Sequence, residues 1–385
     1  METAFPEYAA RLAKRLPELA AGDKSACIGL DGFVDRILYV VDQRTGSGSY
    51  RRMEAMADYG RRIIEAAGLS MNVELAPVST KPGGNGVIMA QAASRLGLRT
   101  TCIGAMGRGK LHPVFQPLKD GMNLISYAEP ARTDALEFLD GKIISSTLQS
   151  LNEVTWESLV KAAGLDSLVR EMDRADLIAL NNWTMMPGMT EIWRQMLLQV
   201  FPRLNPRRRI LFFDLADPAK RTAPDTREAL AMMRRFAAYG ETVLSCNVRE
   251  SQRLMAVLDL PACAGLNGKG SGRDLEKTCR ELREKIGVSV LVIHALKYAV
   301  CCRGDQSGME RIWTVPGNYA PQPVLTTGGG DNFNAGTAVG LLCGMEPDLA
   351  VFLGNMVSGY YVRHGESPSM DDLALYLKQE AHRNT

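Results

Sequence analysis

The sequence predicts an α/β protein, a mostly parallel central sheet flanked by helices with a small β lid, and two patterns predict it. Strand-length apolar runs alternate with helical patterns over most of the chain, the rhythm of parallel strands joined by crossover helices. Elsewhere that rhythm stops, and short β-type segments follow one another without long helices between them.

Strands are expected at 26–30, 100–104, 177–180, 210–213, 242–245 and 288–293. Helices are expected between them, at 86–96, 156–172, 188–201, 226–239 and 273–286. The β-type segments lie at 34–40, 73–78 and 133–147, and Asp140-Gly141 is a hairpin signal inside the last of them. The expected organisation is one α/β domain over 1–385 carrying a discontinuous lid at about 34–50, 72–80 and 130–148. A helix-forming stretch at 50–67 interrupts the lid, and sequence alone gives it no role.

The chain's 385 residues suffice for one large domain with an appendage. With 45 basic and 43 acidic residues the net charge is only +2, which leaves no excess to hold a polyanion, so nucleic acid is not an expected ligand. No run approaches the ~18 apolar residues of a membrane span. Residues 1–19 are amphipathic instead of having a signal-peptide core, so no membrane partner and a cytoplasmic address are expected. The eight cysteines, at 27, 102, 246, 263, 279, 301, 302 and 343, form no C-x-x-C pair and read as buried free thiols.

The segment Thr326-Thr327-Gly328-Gly329-Gly330-Asp331-Asn332-Phe333-Asn334-Ala335-Gly336 carries the chemistry. Three glycines before a helix-compatible run leave backbone N–H groups open at a helix N-terminus, where the partial positive charge favours an anion. A carboxylate in the first turn can take a proton from a hydroxyl held beside phosphates. The bland alternative is a glycine turn with Asp331 as an N-cap. The full segment favours the first reading, because it resembles the C-terminal signature of the ribokinase-like (PfkB) carbohydrate kinases, D-T-x-G-A-G-D-x-F-x-A-G. Thr326, Gly328, Gly330, Asp331, Phe333, Ala335 and Gly336 match, while Leu325 replaces the family's first Asp and Gly329 its usual Ala.

Other segments support the resemblance in the family's order. Gly83-Gly84-Asn85-Gly86, with Ala90, Leu96 and Gly97 downstream, is similar to the N-terminal signature G-G-x-x-x-N-x-A, although Ile88 stands where that Asn is expected. Asp31 and Asp35 follow the first strand, at the edge where open α/β sheets bind ligands. Asn247 and Glu250 form an N-x-x-E element, which is also a capping-box pattern. Phe213-Asp214 and Arg221 occur where relatives carry an F-D-x-N-x-R segment.

The resemblance implies a ribokinase-like fold and an ATP-dependent phosphotransferase acting on a hydroxyl of a sugar or sugar-like molecule. It implies Asp331 as general base and the N–H groups of Gly328, Gly329 and Gly330 as the anion hole. It places the acceptor on Asp35, with Asp31 as second choice, beside Gly83, Gly84 and Asn85. It places the nucleotide near Asn247, Thr326, Asn355 and Arg221, and gives Glu250 and Asn247 to Mg2+ through its hydration shell. The implied cofactors are ATP and Mg2+, with a monovalent cation as a further candidate, and the implied assembly is a homodimer through the lid. A nucleoside kinase of the same fold and a non-catalytic sugar- or nucleotide-binding regulator remain as alternatives. A dinucleotide oxidoreductase ranks below them, because no G-x-G-x-x-G opens the first βα unit.

Overall fold

The computed structural model describes residues 4–19, 21–261, 272–304 and 309–383. Its first eight strands are β1 (Ser25–Gly29), β2 (Phe33–Arg44), β3 (Tyr50–Arg52), β4 (Leu75–Gly83), β5 (Arg99–Gly104), β6 (Asn123–Ser126), β7 (Ala131–Glu137) and β8 (Lys142–Thr147). The remainder are β9 (Leu177–Asn181), β10 (Ile210–Asp214), β11 (Glu241–Asn247), β12 (Val290–His294), β13 (Tyr298–Gly304) and β14 (Glu310–Pro316). Helices α1 (Phe5–Arg15), α2 (Met56–Glu65), α3 (Asn85–Arg95), α4 (Trp156–Ala163), α5 (Leu165–Arg174) and α6 (Met189–Gln195) come first. They are followed by α7 (Ala223–Phe236), α8 (Val248–Val257), α9 (Gly272–Ile286), α10 (Gly329–Leu342), α11 (Pro347–His364) and α12 (Met370–Arg383).

The large sheet has the order β14-β13-β12-β11-β10-β9-β1-β5-β6. It is parallel from β6 to β12, and the last two strands turn back antiparallel. Side chains of successive strand residues enter opposite cores. Ile178, Leu180, Leu211, Phe213 and Leu244 pack with Trp193, Phe201 and Phe236 on one face. Leu177, Ala179, Ile210, Phe212 and Val243 pack with Phe333, Val339 and Phe352 on the other. Burial on both faces accounts for the continuous apolar runs. The same alternation sends Cys301 and Cys302 to opposite faces. All seven cysteines among the described residues are free, and Cys263 lies outside those residues.

Three expectations need correction. The helix expected over 156–172 breaks at Gly164, which stands at φ 77 and separates α4 from α5. The helix expected over 188–201 is α-helical only through Gln195, after which Met196–Val200 widens into a π-type turn. The alternating βαβ rhythm ends at β12, because only three residues, 295–297, separate the end of β12 from the start of β13, too few for a helical crossover.

The small sheet is organised by β2. Its first half pairs antiparallel with β4 and parallel with β7, its far end pairs with β3, and β8 closes the other side through the β7–β8 hairpin. The stretch at 50–67 now has a place. Leu38, Val40, Met53, Leu136 and Phe138 form a third buried cluster, with Met56 and Tyr59 packed against it. The backbone N–H of Met56 donates to Asp140 Oδ1 at 2.9 Å, and Leu139 N–H donates to the Glu54 carbonyl at 2.7 Å. The insertion therefore braces the tip of the β7–β8 hairpin. Each large apolar side chain fully buried there contributes roughly 1.5–3 kcal/mol.

Candidate active site

The site lies along the C-terminal edge of the parallel strands, where β1, β9 and β10 end beside the starts of α3 and α10. Gly328 is the N-cap of α10 at φ 91, a left-handed conformation that glycine adopts without a Cβ penalty. Tyr361 Oη donates to the Thr327 carbonyl at 2.8 Å and holds the approach to this turn. Ile88, at the position of the family's Asn, brings its Cδ1 within 3.3 Å of where a Gly328 Cβ would sit. The side chain at that position is thus an apolar neighbour of the cap.

Asp331 falls in the first turn of α10 and is 6% exposed. Burial raises its pKa well above the ordinary carboxylate value, and the charges of Asp214, Asp31 and Asp35 add to the rise, while a hydrogen bond from the Asn85 side chain opposes it. Its Oδ1 has no hydrogen-bond partner in the structure. Four acids from β10, α10, the β1–β2 turn and β2 thus converge on one region.

The other expected residues divide by what their side chains already do. Asp31 is fully buried and accepts from Asn85 N–H and Gly86 N–H, both at 2.8 Å, and from Asn182 Nδ2 at 2.7 Å. It serves the N-terminus of α3, as a carboxylate suits a helix start, and burial first of all lifts its pKa to about 6. Asp35 also rises to about 6 through burial, opposed by a hydrogen bond from Thr133 and by the charge of Lys142. Gly83 makes room for it, since a Cβ at Gly83 would sit 2.2 Å from the Asp35 carboxyl carbon. Gly84 is the N-cap of α3 and Asn85 its first residue.

Asn247 and Glu250 form a complete capping box at the start of α8. Glu250 Oε2 accepts from Asn247 N–H at 2.9 Å and Oε1 from Asn247 Nδ2 at 2.7 Å. Burial, then the nearby Asp214 charge, raises Glu250 to about 8. Two buried acids pushed upward in this way suit a hydrated cation beside them, with water between carboxylate and metal. Among the described residues no group of three or more His, Cys, Asp or Glu is placed to hold a metal ion directly.

Arg221 and Asn355, both expected near the nucleotide, are each anchored by hydrogen bonds to backbone carbonyls. Arg221 donates to the carbonyls of Trp183, Thr184 and Met186 and lies over the Trp183 ring at 4.7 Å, so it organises the loop after β9. Asn355 Nδ2 donates to the Pro316 carbonyl at 2.9 Å and ties α11 to the end of β14. Thr326 Oγ1 accepts from Lys142 Nζ at 2.6 Å.

Sequence reasoning did not single out Asn334 or Lys142, and it named Asn182 only within the stretch 181–183 expected to shape the pocket. Asn182 stands at φ 57 and bonds Asp31. Asn334 donates to Asp214 Oδ2 at 2.7 Å, and its place in the glycine-rich segment was the available signal. Lys142, just after the Asp140-Gly141 turn, is brought to the threonines by a lid fold that no local pattern specifies.

A parallel sheet with helices on both faces, a small lid sheet, and a buried aspartate in the first turn of a glycine-capped helix together define a ribokinase-like sugar kinase of the PfkB type. The model of the prokaryotic ketohexokinase family matches residues 3–380, and the chain belongs to that family. A ketohexokinase of Haloferax volcanii is 28% identical over 369 residues, covering 94% of this chain and 92% of the relative. Among solved structures, a probable sugar kinase from Rhizobium etli aligns with a TM-score of 0.63 at 15% identity, over 93% of this chain and 99% of that one. An Arabidopsis thaliana ribokinase, solved with ribose and ATP, aligns at 0.60 and 17% identity over 92% and 99%. At such identities the structural likeness establishes the fold. Among the described residues no helix is long and apolar enough to cross a membrane.

Proposed function

We propose that the protein transfers the γ-phosphoryl group of ATP to a hydroxyl of a ketohexose, with Asp331 as general base. The observation that carries this reading is the partnerless Oδ1 of buried Asp331 in the first turn of the helix that Gly328–Gly330 begin. In the reaction the acceptor O–H bond gives its proton to the Asp331 carboxylate. The acceptor oxygen bonds to the γ-phosphorus, the bridging P–O bond breaks, and ADP leaves. The N–H groups of Gly328 to Gly330 face the charge on the transferred group.

Asp35, with Gly83, Gly84 and Asn85 around it, is the acceptor-facing acid, because both Asp31 oxygens are occupied at the α3 N-terminus. The uncommitted oxygens of Asn181, Asn182 and Asn334 support an acceptor rich in hydroxyl donors. Mg2+ would stand by Asp214, Asn247 and Glu250 through its water shell, supplying charge neutralisation for the nucleotide phosphates. The free thiols support a reducing, cytoplasmic setting. A homodimer through the lid is supported by exposed Val78 and Ile144 on its strands, and a monomer mass throughout micromolar dilution would refute it.

The test is ADP release with a panel of ketohexoses, aldohexoses, polyols and nucleosides. Turnover greatest with a ketohexose is expected, and greatest turnover with a nucleoside would replace the reading by a nucleoside kinase. Asp331→Asn should abolish turnover while ATP-induced thermal stabilisation persists. Wild-type turnover in that variant would remove Asp331 from the mechanism.

A further inference from the structure

Lys142 is the first residue of β8 and pairs across the lid hairpin with Glu137. Its hairpin is held from behind by the bonds from Met56 to Asp140 and from Leu139 to Glu54. Its Nζ leaves the lid and donates to Thr326 Oγ1 at 2.6 Å and also to Thr327 Oγ1, the two residues before the Gly328 cap. The acids facing it are Asp35 from β2 and Glu137 from β7. One ammonium therefore stands between the acid proposed for the acceptor and the threshold of the anion hole. Two neutral hydroxyls are modest partners for a half-buried cation, and a phosphate oxygen is a stronger one. The two threonines aim the group toward the helix start, while Asp35 and Glu137 balance its charge only from the lid.

We propose that Lys142 is a catalytic residue carried by the lid, whose ammonium contacts the transferred phosphoryl group and makes turnover depend on lid closure. The proposal rests on the reading of Gly328–Gly330 and Asp331 given above. An ammonium there offsets charge on the group in transit and completes the site only when the small sheet is down over the main one.

Three variants separate this role from a simple clip between lid and body. Lys142→Gln keeps N–H donors for the threonine hydroxyls and removes the charge, Lys142→Arg keeps the charge, and Lys142→Met keeps neither. For Gln and Met, kcat is expected to fall about 100-fold or more, as for loss of one preorganised donor, with sugar KM changed less than about threefold and Arg recovering part of the loss. Near-wild-type kcat in Lys142→Gln would overturn the proposal. Asp331→Asn assayed beside them keeps the two readings apart. An inactive Asp331→Asn with a fully active Lys142→Gln sinks only the lysine's role, whereas an active Asp331→Asn sinks the base assignment itself. A measurement on the wild-type protein needs no variant to fold: acetylation of Lys142 by acetic anhydride, read by mass spectrometry. A nonhydrolysable ATP analogue with sugar should slow it about fivefold or more relative to ADP with sugar. Equal labelling in the two mixtures would likewise overturn the proposal.

Discussion

Asn334 Nδ2 donates to Asp214 Oδ2 at 2.7 Å, joining the second turn of α10 to the end of β10. Both residues are buried, and the other Asp214 oxygen is taken by Ala216 N–H at 2.7 Å. Asn334→Leu would leave one buried carboxylate oxygen without this donor. A loss of about 1–3 kcal/mol in unfolding free energy is expected from an unsatisfied buried group, read by urea titration at pH 7.5. Because α10 carries Asp331, kcat should fall as well, and a variant as stable and active as wild type would show that this bond does not position the helix.

The acid limb of the kcat profile should lie at higher pH than an ordinary carboxylate gives. As the proposed base, Asp331 would act only when ionised, and burial followed by the Asp214 charge raises its pKa. Activity is therefore lost as pH falls through that raised value. Asp214→Asn removes a negative neighbour, lowers the pKa of Asp331, and should move the acid limb to lower pH. A limb that stays in place would exclude Asp214 as a contributor.

Asp35 sets binding against stability. Its folded pKa of about 6 lies above the unfolded value, so protonation favours the folded state. That contribution is fully present below the unfolded pKa, near pH 4, and is lost as pH rises through about 6. Above this window the ionised carboxylate costs the free protein about 2–3 kcal/mol. Asp35→Asn should accordingly melt higher than wild type at pH 7.5 and close to it at pH 4, while sugar affinity drops. Scanning calorimetry at the two pH values checks the sign, and an advantage confined to pH 4 would contradict it.

The sheet was legible because each buried strand is a compact apolar run, and the glycine-rich segment was legible because its N–H groups, helix start and acid are contiguous. What escaped were relations between distant segments. Lys142 and Thr326 are 184 positions apart, and Asp214 and Asn334 are 120 apart. The hold of Arg221 on the Trp183, Thr184 and Met186 carbonyls was equally illegible, because a basic residue after a strand end carries no sign of which carbonyls it will meet. The antiparallel β14 was missed for another reason, since its partly exposed residues break the apolar run. The split between α4 and α5 depended on the conformation of Gly164, which periodicity does not register.

Two adjacent glycines of the proposed anion hole should respond in opposite ways to a methyl group. A Cβ at Gly328 would meet the Tyr361 hydroxyl at 2.7 Å, on a backbone at φ 91 that L-residues rarely adopt. Gly328→Ala must therefore either strain the cap, at about 1–3 kcal/mol, or turn its N–H groups away, and kcat should fall. Gly329 lies inside the helix without a left-handed φ, and its Cβ would come no closer than 3.2 Å, to Val362 Cγ1. A shift of a few tenths of an ångström in a valine methyl accommodates it, and helix propensity favours alanine over glycine by up to about 1 kcal/mol. Gly329→Ala, which restores the residue usual in the family signature, should keep near-wild-type kcat and melt at the same temperature or higher. Parallel assays of the two variants decide the point, because equal loss in both would mean that the cradle rejects any added methyl and that the left-handed cap is not the controlling feature.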